Sequence, residues 1–135
     1  MPHIWIEYSA NIEAELGLDG LMQTVQDAAV GDGSVFPLAG ARTRAVPVQR
    51  YRIADGHPDN AFVHVVLKVG HGRSLAEREA CAKRTFAALQ QALAAIMASR
   101  PLGVSLQLDE ADPVLNYKDS NYREHLAARR ASSGA

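Results

Sequence analysis

Ala61-Phe62-Val63-His64-Val65-Val66-Leu67-Lys68-Val69, followed by Gly70-His71-Gly72-Arg73-Ser74-Leu75-Ala76-Glu77, decides how this chain folds. The first nine residues are nearly continuously apolar and rich in β-branched side chains, which predicts a strand covered on both faces. Ser74 and Glu77 then stand at the spacing of a capping box, in which each side chain accepts from the other residue's backbone N–H at a helix start. Ala82, Phe86, Leu89, Leu93, Ile96 and Met97 follow at steps of three or four, the period of one helical face. Arg100-Pro101-Leu102-Gly103 stops that helix, because proline disfavours helical backbone in the residue before it. Val104, Leu106 and Leu108 alternate with Ser105, Gln107 and Asp109, so a further strand with one wetter face comes next.

Working outward, the same order of elements recurs in the first half. Pro2 to about Tyr8 alternates, with Ile4 and Ile6 on one face and Trp5 on the other, which predicts a strand. Asp19 is placed to cap a helix carrying Leu21, Met22, Val25, Ala28 and Ala29, and Gly31 to end it. Asp32-Gly33-Ser34 is a turn signal, and Val35 to Gly40 a connection. Residues 42–52 read as extended, with Arg42, Arg44, Val46 and Val48 on one side. Pro47 lacks the N–H that an inner strand needs, so this run belongs at an edge or bulge. The turn-forming Ala54-Asp55-Gly56-His57-Pro58-Asp59-Asn60 separates the halves.

The expectation is an α+β fold: two β-α-β units, about 2–52 and 61–110, forming one four-stranded mixed sheet with two helices on one face. Residues 1–135 then make one domain, with a C-terminal extension over about 112–135. That tail is patterned for no more than a short strand or helix, and disorder is expected after about Arg129. The second sheet face would lack a helix layer, so its apolar side chains call for another subunit.

The composition narrows the function. In 135 residues, 47% are hydrophobic, which gives enough material for a core. Lys and Arg number 14 against 15 Asp and Glu, a formal net charge of -1, so neither nucleic acid nor an anionic membrane is an expected partner. No apolar run approaches the ~20 residues that span a bilayer. The lone Cys81 rules out an internal disulfide framework, and a cytoplasmic location is expected.

Several residues could do chemistry. Pro2 stands behind Met1, and its small side chain permits methionine removal, which would leave a secondary amine at a strand tip. Such an amine titrates near pH 8, in the region of about 7.7–8.0, and burial or a nearby cation lowers it, making it a possible proton shuttle. The plainer reading is a proline that simply starts an edge strand. Arg42 and Arg44 share one strand face and offer planar forks to a small di- or tricarboxylic acid, or else belong to a solvated edge continued by Arg50 and Arg52. Arg73 stands at a helix start, where unpaired N–H groups already favour an anion, and is the better single clamp. Gly70-His71-Gly72 lacks the further residues of a nucleotide loop. His57, His64 and His71, spaced by seven, fit no zinc pattern, and Cys81 lies mid-helix among apolar residues rather than in a nucleophile motif.

Met1-Pro2-His3 with Ile6-Glu7-Tyr8-Ser9-Ala10-Asn11-Ile12 resembles the tautomerase superfamily, and within it the 5-carboxymethyl-2-hydroxymuconate Δ-isomerase family. So do Phe36-Pro37-Leu38-Ala39-Gly40-Ala41-Arg42-Thr43-Arg44, Ala54-Asp55-Gly56 with Ala61 to His64, Leu67 to Leu75, and Pro113-Val114-Leu115-Asn116-Tyr117-Lys118. The resemblance spans nearly the whole chain. It implies a homotrimer whose sheets face a central space, a catalytic Pro2 freed by loss of Met1, and substrate carboxylates held by Arg42, Arg73 and, third, Arg44. It implies a cofactor-independent isomerase converting a 2-hydroxydienoate, a small carboxylate-bearing dienol, to a 2-oxo-3-enoate in homoprotocatechuate catabolism. His71 receives no role from it. Other keto-enol tautomerases, hydratase-type relatives and a non-catalytic oligomeric carboxylate-binding domain remain as rivals at this point.

Overall fold

The computed structural model describes residues 2–134. Four strands, β1 (His3–Ser9), β2 (Arg42–Val48), β3 (Ala61–Val69) and β4 (Leu102–Glu110), form one sheet in the order β2-β1-β3-β4. β1 runs parallel to β2 and antiparallel to β3, while β3 and β4 are parallel, so the sheet is mixed and each parallel pair is joined through a helix. Pro47 lies in the edge strand β2, where its missing donor costs no ladder bond. β2 stops at Val48 rather than near Arg52 because its only neighbour ends there: Ser9 pairs with Val48.

The helix layer covers one face. Ile4, Ile6 and Tyr8 of β1 and Val63, Val65 and Leu67 of β3 alternate into a single buried cluster with Leu21, Val25 and Ala29 of α2 (Leu18–Val30) and Cys81 and Leu89 of α3 (Leu75–Ala92). Each fully buried aliphatic chain of this kind contributes about 1.5–3 kcal/mol. The opposite face, away from α2 and α3, carries His3, Trp5, Arg42, Arg44, Phe62, His64 and Val66. β3 is therefore covered on one side only within this chain, where its sequence predicted two: Phe62, His64 and Val66 are half-buried and Lys68 is exposed.

Three helices depart from expectation. Asp19 sits inside the first turn of α2 instead of capping it, because Gly17 takes a left-handed φ of +58°. That glycine closes the short α1 (Glu13–Leu16) and opens α2 in one step. The long second helix breaks at Leu93, leaving α3 and a separate α4 (Ala94–Ser99). Leu89, Leu93 and Ile96 stay buried across the break, and Met97, one position further round, is 51% exposed. The tail forms α5 (Tyr122–Ser132), which runs past Arg129 where disorder was expected. Glu124 in its first turn and Arg129 and Arg130 in its last complement the helix dipole. The Ser74–Glu77 capping box is complete, with both reciprocal bonds made. Among the described residues no helix is long and apolar enough to cross a membrane.

Candidate active site

Strand directions bring one end of every strand to the same place. β1 begins at His3, which pairs with Arg42 at the start of β2 and with Lys68 near the end of β3. Val69 pairs in turn with Glu110 at the end of β4, and Ala111 N–H donates to Val69 O at 2.7 Å. Pro2 lies at this end, buried, and its carbonyl accepts from Arg42 N–H at 3.1 Å. Pro2 thus leads into an inner strand, not the edge strand that its plainer reading required, and is tied to β2.

The loop that leaves β3 at this end carries Arg73, immediately before the α3 cap. Its guanidinium donates to Val35 O at 3.1 Å and Gly70 O at 3.5 Å, and lies 5.0 Å from the centre of the Phe36 ring. It lines a cavity of about 480 Å³ with Pro37, Gly40, Lys118, Asp119 and Arg123. A neighbouring cavity of about 300 Å³ is lined by His3, Arg42, Lys68, Asn116, Tyr117 and Lys118. Lys118 and Asp119 belong to both walls, so the segment after β4 joins the Arg42 and Arg73 sides. Arg42 also reaches across to Tyr122, its guanidinium 5.1 Å from the ring centre. Clustered guanidinium and ammonium groups of this kind bind carboxylates through charge-assisted hydrogen bonds.

Arg44 shares the open sheet face with Arg42 but is engaged locally. Its two terminal nitrogens approach His3 Nδ1 at 3.3 and 3.0 Å, and its guanidinium covers the Trp5 ring at 4.2 Å. Burial, then Arg44, then Arg42 hold the His3 imidazole below its ordinary pKa, since each disfavours the charged ring. The two side chains that sequence reasoning passed over are His3 and Lys118. Each stands within a family-like run, Met1-Pro2-His3 and Pro113 to Lys118, and that proximity was the available signal.

Other candidates fall away. Cys81 is buried, its Sγ donates to Ala29 O at 3.5 Å, and burial pushes the thiol above its usual pKa, the reverse of an activated nucleophile. His71 Nδ1 lies 3.5 Å from the Glu110 carboxylate at the surface. Among the described residues no cluster of His, Cys, Asp or Glu is arranged to hold a metal ion.

Comparison with known proteins bears on the family and the fold. The family model for 5-carboxymethyl-2-hydroxymuconate isomerase matches residues 2–126, beginning on Pro2. A 5-carboxymethyl-2-hydroxymuconate Delta-isomerase from Escherichia coli is 41% identical over 121 residues, covering 90% of this chain and 95% of that protein. The crystal structure of a 5-carboxymethyl-2-hydroxymuconate isomerase from Deinococcus radiodurans R1 superposes with a TM-score of 0.87 at 31% identity, covering 93% of each chain. A second solved 5-carboxymethyl-2-hydroxymuconate delta-isomerase has a TM-score of 0.84 at 29% identity, again over 93% of each chain. With a family match over most of its length and the same four-stranded architecture, the chain belongs to the 5-carboxymethyl-2-hydroxymuconate isomerase family and carries the tautomerase fold.

Proposed function

We propose that this protein isomerises 5-carboxymethyl-2-hydroxymuconate, using the amine of Pro2 after removal of Met1 as both base and acid. The family match that begins on Pro2 carries this reading, and the burial of Pro2 beside Arg42, whose backbone N–H donates to its carbonyl, supports it. A secondary amine in such surroundings favours its neutral form, because the protonated form loses hydration and meets repulsion. The neutral nitrogen takes the proton from the 2-hydroxyl of the dienol. The electron pair moves through C2, C3 and C4 to C5, and the prolinium returns a proton to C5. The product is a 2-oxo-3-enoate, with every proton accounted for and no group beyond the chain required.

Arg42 and Arg73 hold the carboxylates and stabilise the negative charge that builds on the 2-oxygen. Fixed cations aimed at developing charge supply much of the acceleration in reactions of this kind. Lys118 stands on the wall shared by both cavities and serves the same charge. Arg44 acts on this site through His3. The working assembly is a homotrimer in the cytoplasm, within aromatic-compound catabolism. The uncovered sheet face and the exposed Val114 (74%), Leu115 (71%) and Tyr117 (85%) support association with further copies.

The decisive experiment is a spectrophotometric assay with 5-carboxymethyl-2-hydroxymuconate on protein whose intact mass lacks one methionine. Loss of the dienol absorbance at a rate proportional to enzyme is expected. No turnover by the trimmed chain, or full turnover by a chain that keeps Met1, overturns the proposal.

A further inference from the structure

Arg44 settles the protonation of its neighbour. A guanidinium has donors only, so where both terminal nitrogens of Arg44 approach His3 Nδ1, at 3.3 and 3.0 Å, that nitrogen must present its lone pair. The ring proton then belongs to Nε2. The ring is also fixed in place, stacked on Trp5 with centroids 5.6 Å apart while Arg44 covers the same indole at 4.2 Å. Nε2–H has no acceptor among the described residues. His3 lines the 300 Å³ cavity together with Arg42, Lys68 and Lys118, with Asp119 the only acid there. A donor without an acceptor, on a wall of cations, fits an anionic oxygen.

We infer that His3 is a substrate-binding residue whose Nε2–H, presented by Arg44, donates to a carboxylate oxygen of the substrate held beside Arg42 and Lys118. This rests on the isomerase reading of the site above. Strand alternation points His3 to the face opposite Ile4, towards Arg42. His3 exchanges no proton with the reacting atoms in the proposed reaction, so its loss weakens binding more than chemistry. A neutral donor has a further use here: it holds a carboxylate without adding an acidic proton next to a dienolate.

Two variants separate the donor from the ring. His3→Gln keeps an amide oxygen for Arg44 and an N–H for the substrate, whereas His3→Leu keeps neither. The expected result is a KM raised at least about tenfold in His3→Leu with kcat nearly unchanged, and a KM near wild type in His3→Gln. In parallel, the imidazole of ¹⁵N-labelled wild-type protein is observed by NMR while 2-oxoadipate, a saturated 2-oxo diacid, is added. An unprotonated Nδ1, and an Nε2 proton whose signal moves on addition, are expected. A protonated Nδ1, an Nε2 proton indifferent to 2-oxoadipate, or an unchanged KM in His3→Leu overturns the inference. The two readings fail separately. A moving Nε2 proton in a protein that does not turn over the dienol sinks the isomerase reading and keeps the donor. A still one in an active enzyme does the reverse.

Discussion

Arg42 N–H and Pro2 O are hydrogen-bonded at 3.1 Å, which ties the residue ahead of the central strand to the first residue of the edge strand. The proposed base and the proposed carboxylate ligand therefore move as one unit. Pro2→Ala leaves the carbonyl that accepts from Arg42 N–H in place and puts a primary amine where the secondary one stood. Its kcat is expected to fall about 10²-fold, the low end of what general acid–base catalysis supplies, with KM little changed. Extending the chain by one residue ahead of Pro2 converts the amine to an amide, and steady-state kinetics should then show no turnover.

Arg73, proposed to hold a substrate carboxylate, also donates to the backbone carbonyls of Val35 and Gly70. Arg73→Ala is expected to raise KM about tenfold or more, the scale of a lost charge-assisted hydrogen bond. Arg73→Lys keeps the charge but not the planar fork, and should recover only part of that loss. Circular dichroism of both variants checks that the loop contacts are not needed for folding.

Tyr8 is 1% exposed and its hydroxyl donates to Glu13 Oε1 at 2.5 Å. Burial, and then the Glu13 contact, push its phenol up to about 12. The folded state thus favours the neutral ring, while the unfolded chain loses this proton near pH 10. The contribution is complete below pH 10 and is lost as pH rises from there through about 12. Tyr8→Phe is expected to cost about 1–2 kcal/mol at neutral pH and to flatten the alkaline limb, as read by denaturant unfolding at a series of pH values.

Leu115 and Tyr117 stand in water in the single chain. If further copies cover them, Leu115→Asp combined with Tyr117→Asp should dissociate the assembly, since a charge forced into an apolar contact goes unpaired. Sedimentation of the wild-type protein at three times the chain mass, and of the double variant at a lower mass, is the expected outcome. An unchanged mass would show that this segment lies outside the interface.

Much of this fold was readable because its signals are local. The Ile4–Ile6–Tyr8 alternation, the Ser74–Glu77 cap and the proline in β2 each report on backbone a few residues away. The break at Leu93 was not readable, because the helical period passes through it unchanged and only the packing of Ile96 shows the turn. The site divides the same way. Arg73 declared itself through its place at a helix start. His3 did not: its partner Arg44 is 41 positions away, and they meet only because β1 and β2 pair in parallel in one particular register. No local pattern encodes that register. Lys118 was hidden for a related reason, since its segment has no periodicity and gains its position from the strand before it.

β1 precedes both of its neighbours in the sheet along the chain, and β3 does not come until the middle. The leading segment must therefore wait, unpaired and in water, while most of its scaffold is still being polymerised. If Met1 is removed as proposed, an aminopeptidase has its opportunity in that interval, before the sheet forms beside Pro2. The order of manufacture would thus supply what the finished protein withholds: access to a residue that ends up buried.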